Sequence, residues 1–264
     1  MANYIPLITT IVASVFTILL LWQYIHRKKI HQLVWTTAMA LYAISAFAEF
    51  LANPDMLGPS IPLIKVYYVS AGPLVGLLGA GVLYLLVKRK FANIYLGAVV
   101  VLAIALLGAV ALADFNQGKI DESFQKGLAQ GFHEVSTSFP PTARIPFAVL
   151  SATGGIVLVV GALYSFVRDR SRTYNIPLLL GGLLPSIGGS LLGLLNSADV
   201  FFEFELAGTV FLFAGFVMSM RYIISKKPVK EAAKPTEEAA KTSEETETKT
   251  KAPKKSNKED TKTH

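Results

Sequence analysis

Ile61-Pro-Leu-Ile-Lys65-Val-Tyr67-Tyr68-Val-Ser-Ala-Gly72-Pro73-Leu-Val-Gly76-Leu-Leu-Gly79-Ala-Gly81-Val-Leu-Tyr84-Leu-Leu-Val87 is a long apolar run interrupted by a single charge, and it stops at Lys88-Arg89-Lys90. A membrane-crossing helix needs about 20 mostly apolar residues, because each adds about 1.5 Å of rise against roughly 30 Å of hydrocarbon. This stretch exceeds that length, and Gly72-Pro73 inside it predicts a tilt or kink. Outward from it, six more segments qualify: Ile5 to Ile25, Leu33 to Leu51, Ile94 to Ala113, Ile145 to Val167, Ile176 to Leu195 and Phe201 to Ile224. The expected fold is all-α, a polytopic bundle of seven transmembrane helices over residues 1–224.

Basic residues stay on the cytoplasmic side of a membrane. Here they fall on alternate connectors: Arg27, Lys28 and Lys29 after the first span, Lys88, Arg89 and Lys90 after the third, Arg168, Arg170 and Arg172 after the fifth, and Arg221, Lys226 and Lys227 after the seventh. The other connectors carry Asp55, Asp114, Asp121, Glu122, Glu134 and Asp199, opposed by Lys119, Lys126 and Arg144. The expected topology puts the N-terminus outside and the C-terminus inside, in the cell membrane.

The first span has no basic segment ahead of it and no small-residue cleavage site behind it, so it reads as a retained helix. The chain contains no cysteine, which excludes disulfides, thiol catalysis and cysteine-ligated metals. The formal net charge of +7 comes largely from topology-setting residues and the tail, so nucleic acid is not an expected partner. Residues 225–264 hold no aromatic side chain and mix Lys and Glu with Pro, Thr and Ser, the composition of a disordered cytoplasmic tail. Lys226, Lys227 and Lys230 at its start would be drawn to an anionic inner leaflet, and the tail is either simply solvated or a docking segment for a cytoplasmic protein.

Gly81-Val-Leu-Tyr84-Leu-Leu-Val87-Lys88-Arg-Lys90 and Gly161-Ala-Leu-Tyr164-Ser-Phe-Val167-Arg168-Asp-Arg170 share one pattern. Either the third and fourth spans duplicate the fifth and sixth, or an interfacial tyrosine followed by basic residues simply marks two cytoplasmic helix ends. Glycines gather in span three (Gly72, Gly76, Gly79, Gly81) and span six (Gly181, Gly182, Gly188, Gly189, Gly193, around Pro185). They serve close packing of backbones or hinge a broken helix that lines a pathway.

Ionisable side chains within spans cost about 2.5 to 3.5 kcal/mol at a helix centre on insertion scales, so they raise a functional question. Glu49 near the outer end of span two, Lys65 near the outer start of span three, and Glu203 and Glu205 at the outer start of span seven all fall at one depth. The sharper reading gathers them into one polar pocket, with Tyr67, Tyr68, Asn196 and Ser197 beside them and Lys65 neutralising one carboxylate. The plainer reading lets each snorkel to the interface by itself. In the outer loop 114–144, Phe124, Leu128 and Phe132 recur at helical spacing behind Asp121 and Glu122, which predicts a short amphipathic helix able to cover that pocket. Pro140-Pro141 would lead stiffly back into span five, and Gly127 and Gly131 weaken the helix. His133 beside Glu134 reads as a solvated pair, so no metal is expected, and no cofactor.

Seven spans with an external N-terminus invite comparison with microbial rhodopsins, but span seven contains no Lys for a retinal Schiff base; Thr209 stands four residues after Glu205. A retinal protein is not expected. Trp35-Thr-Thr-Ala-Met-Ala-Leu-Tyr-Ala-Ile-Ser-Ala-Phe-Ala-Glu49 and the stretch from Tyr67-Tyr68 to Gly81-Val-Leu-Tyr84-Leu-Leu resemble prokaryotic seven-helix membrane proteins, including seven-helix sensor regions found before histidine kinases. The resemblance covers spans two and three and transfers no functional residue. It implies a sensor, and with no output domain after span seven any signal would need a separate protein. The expected function is a non-enzymatic sensor or accessory protein, with a transporter of a small neutral, lipid-like or ionic substrate as the alternative. An enzyme is not expected, since no His cluster, no Cys and no nucleophile paired with a base stands on a helix. The expected partners are the lipid bilayer and a separate membrane or cytoplasmic protein, or a second copy of the chain.

Overall fold

The computed structural model describes residues 3–137, 140–170, 173–195 and 199–220, and among these there is no strand. Nine helices follow in order among the described residues: α1 (Ile5–Arg27), α2 (Ile30–Leu51), α3 (Ile61–Leu86), α4 (Arg89–Leu112), α5 (Gln117–Gln125), α6 (Leu128–Thr137), α7 (Pro141–Arg168), α8 (Asn175–Leu195) and α9 (Asp199–Met220). Six of them, α1, α2, α3, α4, α7 and α9, are long and apolar enough to cross a membrane, which makes the chain a multi-pass membrane protein. In α8 the apolar stretch Asn175–Gly188 is shorter. The predicted tail at 225–264, and Asn196, Ser197 and Arg172, lie outside the described residues.

Prolines open α1, α3 and α7 in the first turn, where a missing N–H costs nothing because that group has no partner inside the helix. Pro140-Pro141 therefore starts α7 directly instead of forming a stiff lead before it. α4 likewise begins earlier than Ile94, since Arg89 and Lys90 already belong to its first turn.

Neighbour contacts set the arrangement. α2 lies between α1 and α3, and α3 also meets α4 and α7. α3 and α7 run parallel: Gly72 faces Phe147, Gly76 faces Leu150, Gly79 faces Gly154, and Gly161 faces Val82. α8 runs antiparallel to α9, with Leu178 against Gly215, Gly181 against Leu212, Pro185 against Gly208, and Gly188 against Phe204. The glycines are thus filled by neighbours, which supports their reading as packing contacts. α9 closes the bundle on α1, where Phe16 meets Phe213 and Phe216 at ring-centroid distances of 5.4 and 5.0 Å. Asn3 donates to Asp199 at 2.9 Å where the two helices begin. This closure brings two chain-distant helices, α2 and α9, side by side.

Between α4 and α7 the structure has two short helices where the hydrophobic spacing suggested one. Gly127 separates α5 from α6 with a φ of +131°, which continues neither helix. Asn116 caps α5 by accepting from the Lys119 N–H at 3.3 Å. Phe124 and Phe132 meet across the break at 4.9 Å, and Gly131 leaves room for the Phe124 ring. Lys126 pairs with Glu134 at 3.1 Å, an exposed bridge that contributes roughly 0 to 1 kcal/mol. Gly127→Ala is expected to cost about 1 to 3 kcal/mol locally, because a side chain at that φ is strained. Faster amide hydrogen exchange confined to α5 and α6 would confirm it, and unchanged exchange there would contradict it.

Candidate functional site

α9 presents a regular buried stripe: Phe202, Glu205, Thr209, Leu212 and Phe216 recur at alternating spacings of three and four, the period of one helix face. Glu205 is the ionisable member of that stripe and is 7% exposed. On α2, Glu49 is 1% exposed, and Tyr42, two turns earlier on the same face, is also buried. Packing α9 on α2 places the two carboxyl groups side by side within hydrogen-bonding range. From α3, the Tyr67 side chain reaches Glu49. The Tyr42 hydroxyl donates to the Glu205 carbonyl at 3.3 Å, and the Thr209 hydroxyl donates to the same carbonyl at 3.0 Å.

One oxygen of each carboxyl group, Glu49 Oε2 and Glu205 Oε2, is buried without a hydrogen-bond partner. Unpaired buried polar atoms are costly, by about 1 to 3 kcal/mol each, so a site that keeps one on each of two neighbouring carboxyl groups calls for an occupant. Both residues lie near one end of the bundle. Glu49 stands about 3 Å from the last residue of α2, and Glu205 about 9 Å beyond the first residue of α9, by helical rise.

That end is covered by α6. Tyr68, fully buried, donates its hydroxyl to the Phe132 carbonyl and lies within reach of Ser136. The Tyr67 ring packs on Phe132 with centroids 4.2 Å apart and on Tyr68 at 5.0 Å. Tyr67 therefore touches the carboxyl pair through its hydroxyl and the covering helix through its ring. α5 is tied down separately, where Gln117 donates to the Pro59 carbonyl at 3.0 Å and to Asp121 at 2.8 Å.

The six residues expected at one pocket thus separate. Glu49, Tyr67 and Glu205 come together, and Tyr68 holds the cover. Lys65 turns away: its ammonium donates to the Ala111 carbonyl at the end of α4, at 3.0 Å, and lies 5.4 Å from the Phe115 ring centre. Glu203 is exposed, because it falls off the buried stripe of α9. Tyr42 and Thr209 belong to the site and were not expected there, although each shares a helix face with one of the two glutamates. Among the described residues no group of three or more His, Cys, Asp or Glu is placed to hold a metal.

No protein-family model matches the chain, and no curated protein or solved structure matches it.

Proposed function

We propose that the chain is a seven-helix integral membrane protein of the cell membrane, N-terminus outside, that acts as a non-enzymatic sensor or accessory protein through a site on its outer side. α8 is the sixth of the seven spans in this reading, supported by its antiparallel contacts with α9 over three turns. The alternation of basic and acidic connectors supports the orientation.

The observation that carries the reading is the Glu49–Glu205 pair, contributed by two chain-distant helices and covered by the short helix α6 instead of by a span. A site assembled from α2, α3 and α9 senses any change in how those helices pack, and a change in its occupant alters that packing in return. Deeper along α9 the buried stripe turns apolar at Leu212 and Phe216, as suits a binding site closed on its inner side.

The test is native mass spectrometry of the full chain extracted in mild detergent from its own membrane, beside Glu49→Gln and Glu205→Gln variants. A protein partner held in fixed stoichiometry, and lost or weakened in the variants, is the expected result. A chain that carries no partner and moves a solute into liposomes would instead make it a transporter.

A further inference from the structure

Resting on the sensor reading above, we infer that the ligand of this site is a proton: Glu49 and Glu205 hold one between them, and its release frees α6 from Tyr67 and Tyr68. Two bare carboxylates within hydrogen-bonding range and out of water repel each other strongly. One shared proton replaces that repulsion by a charge-assisted O–H···O bond and gives both unpartnered oxygens, Glu49 Oε2 and Glu205 Oε2, a role.

The surrounding groups leave the proton this place. From α2 come Glu49 and Tyr42, from α3 Tyr67 and Tyr68, from α9 Glu205 and Thr209, and from α6 Ser136 and the Phe132 carbonyl. All are acidic or neutral. Tyr42 and Thr209 already donate to the Glu205 carbonyl, and Tyr68 to α6. Lys65, the nearest base along α3, is engaged at Ala111. Among the described residues neither carboxyl group has an ion-pair partner. A calcium ion would ask for about six to eight oxygen ligands, more than two carboxyl groups and a phenol supply.

Release breaks the O–H bond, leaves its electron pair on the carboxylate oxygen and passes the proton to water. The second negative charge then draws water toward the pair. The end of the bundle that carries the pair is the end covered by α6, which is held on α3 by the Tyr68 hydrogen bond and the Tyr67–Phe132 contact and joined to α5 through Gly127. Tyr67 carries the change outward, since one end of its side chain meets Glu49 and its ring meets Phe132.

The test uses the full chain in lipid nanodiscs. Infrared difference spectra follow the protonated-carboxyl C=O stretch as pH is raised, and a spin label at His133→Cys reports the mobility of α6. His133 is exposed and the chain has no other cysteine to react. The expected result is one C=O band that disappears with rising pH, is displaced or lost in both Glu49→Gln and Glu205→Gln, and is accompanied over the same interval by a more mobile label. No band assignable to these residues, or a label that ignores the band, overturns the inference. Should the glutamine variants fail to fold, Tyr67→Phe serves. Removing a hydroxyl that donates to the ionised form should tighten proton binding roughly three- to tenfold, and an unchanged midpoint overturns the inference. Solute flux in liposomes would end the sensor reading and leave the proton site standing, whereas loss of the band result would leave a sensor of some other ligand.

Discussion

Alanine at Gly154 is expected to destabilise the bundle by about 3 kcal/mol or more, while alanine at the adjacent Gly155 stays within about 1 kcal/mol of the parent protein. α3 and α7 approach so closely that a Cβ at Gly154 would collide with the Val75 carbonyl and the Gly76 nitrogen, both backbone atoms. A side chain can rotate aside, but backbone can yield only if a whole helix shifts. In the reciprocal direction, a Cβ at Gly79 would fall 2.9 Å from the Gly154 oxygen. Gly155 has nothing within 4 Å of where its Cβ would lie. Between helices in lipid, van der Waals packing replaces the hydrophobic driving force, so losing this contact removes a main source of cohesion. The check is reversible unfolding of both variants in mixed micelles, and equal stabilities would contradict the packing described here.

Single replacement of Glu49 or Glu205 by leucine is expected to cost about 1 to 3 kcal/mol, and the double replacement to cost less than the two singles combined. Either single change leaves the other carboxyl group buried with its partner gone. The double change removes both polar groups and fills the space with apolar atoms, which at buried pairs is often neutral or stabilising. A double-mutant cycle of unfolding free energies measures the difference directly, and strict additivity would mean that the two residues do not meet. Glu203→Leu is the control, since that side chain is exposed and should change little.

Much of the architecture is legible in the chain because lipid imposes a length rule that few other environments impose: Ile61–Leu86 and its counterparts can be read from apolar length alone. The depth of Glu49 and Glu205 was legible for the same reason. Which carboxylate of α9 faces inward was harder. Glu203 and Glu205 share a depth but point to different sides, and the choice shows only when Phe202, Glu205, Thr209, Leu212 and Phe216 are read as one face. The same periodicity links Tyr42 to Glu49, seven residues apart on one face of α2. The destination of Lys65 was not legible, because its acceptor, the Ala111 carbonyl, belongs to another helix and leaves no trace in side-chain identity. The break at Gly127 also escaped the spacing of Phe124, Leu128 and Phe132, which continues across it in sequence although the backbone turns.

The central claim, that α9 delivers Glu205 and not Glu203 to Glu49, is tested most directly by cross-linking in membranes. The chain contains no cysteine, so Glu49→Cys paired with Glu205→Cys, or with Glu203→Cys, needs no prior removal of native thiols. Treated with a mild oxidant or a short bis-thiosulfonate, the 49–205 pair is predicted to form an intramolecular cross-link and the 49–203 pair to remain largely open. Equal yields, or a cross-link only at 203, would contradict the account.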